Sequence, residues 1–319
     1  MNHYYVYGLS LASEVPIPEL AATSFPNRRI GAQTRIRFVP PRNQETAATW
    51  FMEWTLPAGE LWLSCGKTAD GYLLRFSTLA DFSLTADGQE IVCLPTPGTP
   101  QETLHHLLLD QVLPLALSIC GREALHAAAI LTPRGVCAFL GPSGTGKSTL
   151  ASSFLLAGYP LVSDDCLVVE EVQGKMLATA AYPGVRLWED ALSTLFLTQT
   201  NAPPVAHYTT KRRPWVERNT CATGRFPLVC LYWITRSDDN ADGQPPVPIE
   251  MLSAQAGFRE LLTGLFRLDI TDPQMLKRQF CFLERLVSLV PVRRLLVSNS
   301  FSALPTVREA ILNDLGVCQ

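Results

Sequence analysis

The chain has 319 residues, of which 47% are hydrophobic and 17% charged, with a net charge of −3. Such a composition can bury a sizeable core and fits about two domains. It excludes a basicity-driven role on nucleic acid or on an anionic membrane surface, and no run reaches the ~18 apolar residues that a membrane span needs.

The opening stretch MNHYYVYGLSLASEVPIPEL lacks the basic start and long apolar run of a secretory signal, so a soluble, cytoplasmic protein is expected. Residues 1–97 form a first, β-rich module. Its runs TRIRFV (34–39), ELWLSC (60–65), GYLLRFS (71–77) and QEIVCLP (89–95) alternate apolar and polar residues between Gly, Pro and Asp punctuation. LPTPGTP (94–100) reads as a linker, since its three prolines suit neither a helix interior nor an inner strand.

Residues 101–319 form a second, α/β module. ETLHHLLLDQVLPLALSIC (102–120) has helical apolar spacing with a kink expected at Pro114. LHAAAIL (125–131) and GVCAFLG (135–141) read as strands joined by TPRG, and a helix follows from Lys147 to about Leu156. LVSDDCLVVEE (161–171) reads as one strand with an acidic interruption, turned back by VQGK. VRLWEDALSTLF (185–196) has helical amphipathic spacing.

Residues 197–225 are a long polar stretch, of a length usually disordered or functional. FPLVCLYWITR (226–236) is a strongly apolar strand, SDDNADGQPP (237–246) a surface loop. Helices are expected near 253–267, 273–289 and 303–315, with a strand at 293–298. The helical stripes near 102–118 and 276–290 are core or oligomer contacts. Nine cysteines, Cys65, Cys93, Cys120, Cys137, Cys166, Cys221, Cys230, Cys281 and Cys318, contain no CxxC pair and are expected as reduced thiols inside apolar runs.

The strongest signal is GPSGTGKSTL (141–150). Gly141, Gly146, Lys147 and Ser148 match G-x-x-x-x-G-K-[ST], with a strand entering and a helix leaving. The glycines let the backbone curl so that the N–H groups of Ser143, Gly144, Thr145 and Gly146 face inward as an anion nest. The helix N-terminus adds partial positive charge. Lys147 is expected on the outer phosphates, Ser148 on Mg²⁺ and Thr149 on the inner phosphate. The loop therefore predicts a nucleoside triphosphate with Mg²⁺, and leaves open where the phosphoryl group goes.

Asp164 and Asp165 follow Lys147 by 17 and 18 residues, at the end of a short apolar run. At a strand end both can lean toward one site. One carboxylate then serves the Mg²⁺ shell and the other approaches an acceptor hydroxyl. His126 lies on the strand before the loop strand, where spacing alone favours a core histidine. His105, His106 and His207 read as surface or packing residues. In KRRPW (211–215), Lys211, Arg212 and Arg213 are either phosphate-closing cations or a solvated basic loop, and Trp215 either stacks on a ligand or anchors the loop. Arg186 stands at an expected turn into a helix, where a phosphate contact is open to it.

Taken together, LHAAAI, GPSGTGKST and LVSDD resemble the C-terminal kinase domain of bacterial HPr kinase/phosphorylase. The resemblance is close over about 120–170 and runs on weakly to the C-terminus. It implies an α/β domain similar to phosphoenolpyruvate carboxykinase that uses ATP and Mg²⁺ to phosphorylate a protein serine. By that likeness Lys147 and Ser148 hold phosphate and Mg²⁺, Asp165 is the general base with Asp164 beside it, and His126 stands near the reacting phosphates. An arginine of the 211–213 loop, Arg212, would spread the developing charge. The family's glycine-rich segment with a metal-binding glutamate is replaced by YPGVRLWED (182–190), where Glu189 matches only in a shifted register. The phosphorylase segment has no counterpart, which implies a kinase without the reverse reaction.

The opening YVYGLSLASEVPIPEL and the motif PGVRLW are similar to HPr kinase-like proteins encoded beside peptide natural-product genes, including lasso peptide kinases. That likeness implies a precursor-peptide serine as acceptor, recognised by the β-rich module, and the family's hexamers make a homo-oligomer an expectation. A small-molecule kinase using the same site, and a nucleotide-gated binding protein without transfer, are the other readings.

Overall fold

A computed structural model describes residues 1–23, 33–40, 46–56, 58–199, 201–236 and 247–317. The loop expected at 237–246 and Cys318 lie outside the described residues. The chain divides into two compact units. The first comprises residues 1–122 with 206–208 and 266–278, and the second 123–205, 209–265 and 279–319. The helical segment that the sequence groups with the phosphate loop, 101–119, thus belongs to the first unit. Among the described residues no helix is long and apolar enough to cross a membrane.

The first unit carries an eight-stranded sheet. Its strands are β1 (Asn2–Val6), β2 (Leu9–Ser13), β3 (Thr34–Phe38), β4 (Thr49–Thr55), β5 (Leu61–Lys67), β6 (Gly71–Phe76), β7 (Ala80–Thr85) and β8 (Glu90–Pro95). They lie in the order β1-β2-β3-β8-β7-β6-β5-β4. β4 to β8 form an antiparallel meander, while β3 runs parallel to both its neighbours. Alternation explains the clearest of these: along β7 every second residue is buried, which places Phe82 and Leu84 on the core face. Tyr7 and Gly8, both with positive φ, close the β1–β2 hairpin with the twist such a turn requires.

The apolar segment after the linker is helical, with its irregularity one turn earlier than expected. α1 (Gln101–Leu107) passes into a π-helical turn at Leu108–Val112, and α2 starts at Leu113 and ends at Ile119. Pro114 sits in the first turn of α2. Proline has no N–H and its ring crowds the carbonyl four residues back, so the wide turn before it relieves the clash.

The second unit is a mixed α/β layer structure. β9 (Glu123–Leu125), β10 (Ala128–Thr132), β11 (Gly135–Leu140), β12 (Leu161–Ser163), β13 (Leu167–Val172), β14 (Lys175–Thr179), β15 (Arg225–Arg236), β16 (Ile249–Met251) and β17 (Val292–Val297) form one branched sheet. The 12-residue β15 is the branch point. Its first residues pair with β14, and the remainder pairs in parallel with β11 and β17. β10 and β12 continue one arm beyond β11, while β13 and β9 continue the other beyond β14.

Two runs that look like single strands are each cut in two. LHAAAIL becomes β9, then His126 and Ala127 outside any strand, then β10. LVSDDCLVVEE becomes β12, then Asp164–Cys166, then β13. The partners change together: Ala129 pairs with Ser163 in one arm, and Leu125 pairs with Leu167 in the other. The histidine and both aspartates therefore sit where the chain crosses between arms.

The strands of the first arm are buried on both faces, as their unbroken apolar character requires. Along β11, Cys137 and Phe139 face a core with Phe154, Tyr232 and Ile311, whereas Ala138 and Leu140 face a second core with Trp233, Leu261 and Leu286. The helices are α3 (Lys147–Leu156), α4 (Glu189–Leu195), α5 (Ala254–Gly264), α6 (Pro273–Leu289) and α7 (Leu304–Asp314). α4 is four residues shorter at its start than its apolar spacing suggests, because Leu187 is held extended by paired hydrogen bonds with Arg212. The polar stretch 197–225 is irregular but packed: Val205, Val216 and Ala222 are buried within it. None of the eight described cysteines is in a disulfide, and Cys120 and Cys281 are exposed rather than buried.

Candidate functional site

The site is built at the end of β11. Gly141, Gly144 and Gly146 all have positive φ, at 140°, 82° and 99°. At Gly141 the requirement is also steric, since a Cβ there would stand 2.8 Å from the Ile234 carbonyl oxygen of the neighbouring strand. α3 then begins directly at Lys147. The loop lines a cavity of about 380 Å³, joined by His126, Asp165, Arg186, Trp188, Asp190, Lys211, Arg236 and the residues 297–301.

Lys147 is buried, and its ammonium donates to the carbonyls of Gly141 (2.8 Å) and Pro142 (3.0 Å) within its own loop. Burial pulls its pKa down, against the pull of Asp165 and Asp164, and the nearby Lys211 lowers it further. The Ser148 hydroxyl donates to Asp164 Oδ1 at 2.7 Å. Asp164 is itself buried, and its Oδ2 accepts from the Arg186 backbone N–H at 2.9 Å. Asp165 takes a left-handed conformation, φ 69°, that turns it into the cavity beside Asp164.

Arg186 answers this paired charge. Its guanidinium stands 3.2 Å from Asp165 Oδ2 and 3.9 Å from Asp164 Oδ2, and donates to the Tyr182 hydroxyl. Burial, and then the charge of Asp165, push the Asp164 carboxyl up to about 6, while Arg186 and the Ser148 hydroxyl hold it down. The acid pair is thus compensated by the Arg186 guanidinium, and the Lys147 ammonium also feels both charges.

No group of three or more His, Cys, Asp or Glu among the described residues is arranged to hold a metal. Ser148 of the phosphate loop and Asp164 at the end of β12 instead offer two adjacent oxygen ligands. That suits Mg²⁺, which usually binds through one or two protein oxygens together with substrate phosphates and water.

The structure separates the other candidates. His126 lines the cavity and is anchored through its backbone N–H, which donates to the Gly264 carbonyl at 2.6 Å. Thr149 and Lys211 also line it, with the Lys211 ammonium 5.2 Å above the Trp188 ring. Arg212 is not among the lining residues; it forms an exposed pair with Glu189, Nη2 to Oε1 at 2.7 Å. The same pair occupies the carboxylate that the sequence offered as a shifted-register metal ligand. The Arg213 backbone N–H donates to the Pro203 carbonyl, and Trp215 is 77% exposed and stands outside the cavity. Sequence reasoning did not find Asp190, Arg236, Asn299, Ser300 or Phe301. Nothing in their local sequence marks them: Asp190 comes from the first turn of α4, Arg236 from the end of β15, and Asn299, Ser300 and Phe301 from the one connection after β17.

No family model matches the chain, and no curated protein matches it. Among solved structures it is similar to the Hpr(Ser) kinase/phosphatase from Coxiella burnetii, at 11% identity over 60% of this chain and 97% of that one, with a TM-score of 0.31.

Proposed function

We propose that the protein is an ATP- and Mg²⁺-dependent kinase that transfers the γ-phosphoryl group to a serine hydroxyl of a peptide or small protein. The observation that carries this reading is the placement of the two aspartates. One is tied to the phosphate-loop serine, and the other opens into the same cavity.

In this reading the N–H groups of 143–146 bind the phosphate chain, Thr145 giving up the Pro142 carbonyl to which its N–H donates at 3.3 Å. Lys147 exchanges its two loop carbonyls for phosphate oxygens, a short swing for a flexible side chain. Ser148 and Asp164 hold Mg²⁺, which when bound neutralises charge on the phosphate oxygens. Asp165 orients the acceptor hydroxyl and takes its proton late, as a loose transition state allows. Arg186 counters the rise of the Asp164 carboxyl and holds both carboxylates in place, and Lys211 is the cation on the cavity side of the 211–213 loop. His126, which lines the same cavity, would bond a terminal phosphate oxygen.

The lasso-kinase likeness of the opening stretch supports a precursor-peptide serine as the acceptor. Incubation with γ-labelled ATP, Mg²⁺ and such a peptide tests the proposal, and labelled phosphoserine is the expected product. Label in a small metabolite would make it a small-molecule kinase. ATP that only tightens partner binding, with no transfer, would make it a nucleotide-gated binding protein.

A further inference from the structure

The phosphate loop accounts for one end of the cavity and leaves the other unexplained. Leu150 of α3 and Ile234 of β15 adjoin the loop, and the end of β17 and the chain after it bring further apolar wall: Val297, Phe301, and Leu304 and Val307 of α7. A triphosphate gains nothing from such walls, since burying charge against apolar surface is costly. The volume of about 380 Å³ falls in the range of sites for whole small molecules, roughly 300–1,000 Å³.

Polar groups border this apolar end. Asn299 is exposed at the rim, and its side-chain oxygen accepts from the Arg236 guanidinium. The same guanidinium donates through Nη2 to the Gly144 carbonyl at 3.1 Å, so one side chain ties the apex of the phosphate loop to the β17–α7 connection. Ser298 also lines the cavity, and its hydroxyl has no hydrogen-bond partner among the described residues. An apolar slot with an aromatic ring, a side-chain amide, an unanswered hydroxyl and a planar cation suits a nucleobase. Its flat face stacks and its edge both donates and accepts.

We infer that the connection Val297–Phe301, with Arg236, is the nucleoside subsite: Phe301 packs on the base, Asn299 reads its edge or the ribose, and Arg236 is a positioning residue that sets the distance from base to phosphate loop. This rests on the nucleotide reading above and adds where base selectivity resides.

Binding of Mg·ATP, Mg·GTP and inorganic triphosphate to the full chain tests it. Phe301→Ala and Asn299→Ala should each weaken Mg·ATP, Phe301→Ala by about tenfold or more, while leaving inorganic triphosphate unchanged. Arg236→Lys keeps the charge but loses the fork that reaches both partners. It should narrow the preference for ATP over triphosphate. Lys147→Ala should weaken all three ligands together. Because Phe301 is partly buried, its variant is read beside that of the exposed Asn299, and the denaturation midpoint of each variant is measured alongside. Unchanged Mg·ATP affinity in both, with Lys147→Ala impaired, would place the nucleoside elsewhere and overturn the assignment. A wild-type chain that binds triphosphate no more weakly than Mg·ATP would also overturn it, while leaving the phosphate site intact. Binding of none of the three would remove the nucleotide reading itself.

Discussion

Ser148 of the phosphate loop and Asp164 at the end of β12 are joined by a 2.7 Å hydrogen bond from the serine hydroxyl to Oδ1, across 16 residues of chain. The bond puts a hydroxyl and a carboxylate oxygen at one place on the rim of the loop, which is what a cation arriving with a phosphate tail needs. Ser148→Ala should therefore weaken the response of nucleotide binding to Mg²⁺ more than it weakens metal-free binding. Titration of nucleotide with and without Mg²⁺ checks this, and equal Mg²⁺ enhancement in variant and wild type would remove the serine from the metal shell.

Asp165→Asn preserves the size and the loop but cannot accept a proton. Nucleotide affinity should stay within a few-fold of wild type, whereas kcat for transfer should fall by about 10²–10⁴, the usual contribution of a positioned base. Retained turnover would falsify the general-base assignment.

Arg186 compensates two carboxylates while only 3% exposed itself. Arg186→Met leaves the buried Asp164 and the half-buried Asp165 without that cation, a change that costs about 3–5 kcal/mol when a buried ion pair loses one partner. Denaturant midpoints should drop accordingly. Adding Asp164→Asn to the same chain should restore part of the loss, because the stranded charge is then removed. Loss without any rescue would point to packing against Tyr182 instead.

A stability prediction arises in the first unit. Asp269 is fully buried, and accepts from the Tyr72 hydroxyl (2.9 Å), the Thr271 backbone N–H (2.8 Å) and the Thr271 hydroxyl (2.7 Å), with the Lys67 ammonium at 3.0 Å. Burial alone would raise this carboxyl, but the bonds from Thr271, Lys67 and Tyr72 outweigh it and hold the pKa below 3.8. A depressed acid stabilises the folded state above its unfolded pKa. The contribution is therefore full at neutral pH and fades as pH falls through the range below 3.8. Asp269→Ala should lower the denaturation midpoint at pH 7, by about 3 kcal/mol in stability. Its gap from wild type should shrink in strong acid, and a gap independent of pH would assign the loss to packing alone.

Parts of this molecule were readable from the chain because their causes are local. The phosphate loop is specified within eight residues, by glycines that alone tolerate its backbone and by the lysine and serine that follow. The β10–β11 and β13–β14 hairpins are set by their turn residues, with Gln173 and Gly174 in the left-handed conformation between paired Val172 and Lys175. Along β11 the unbroken apolar run announced a strand, and the structure buries it on both faces. Elsewhere the cause is distant. The apolar runs around His126 and around the two aspartates each have one strand's character, yet each divides because its halves pair in different arms. Hydrogen-bond partners are chosen by which strands the whole chain brings alongside, and side-chain pattern alone is the same for either choice. Arg186 faced an open set of partners in sequence, and packing selected Asp164, Asp165 and Tyr182. Folding likewise sent Lys211 to the cavity and Arg212 to Glu189, since neighbours on an extended segment point to opposite sides.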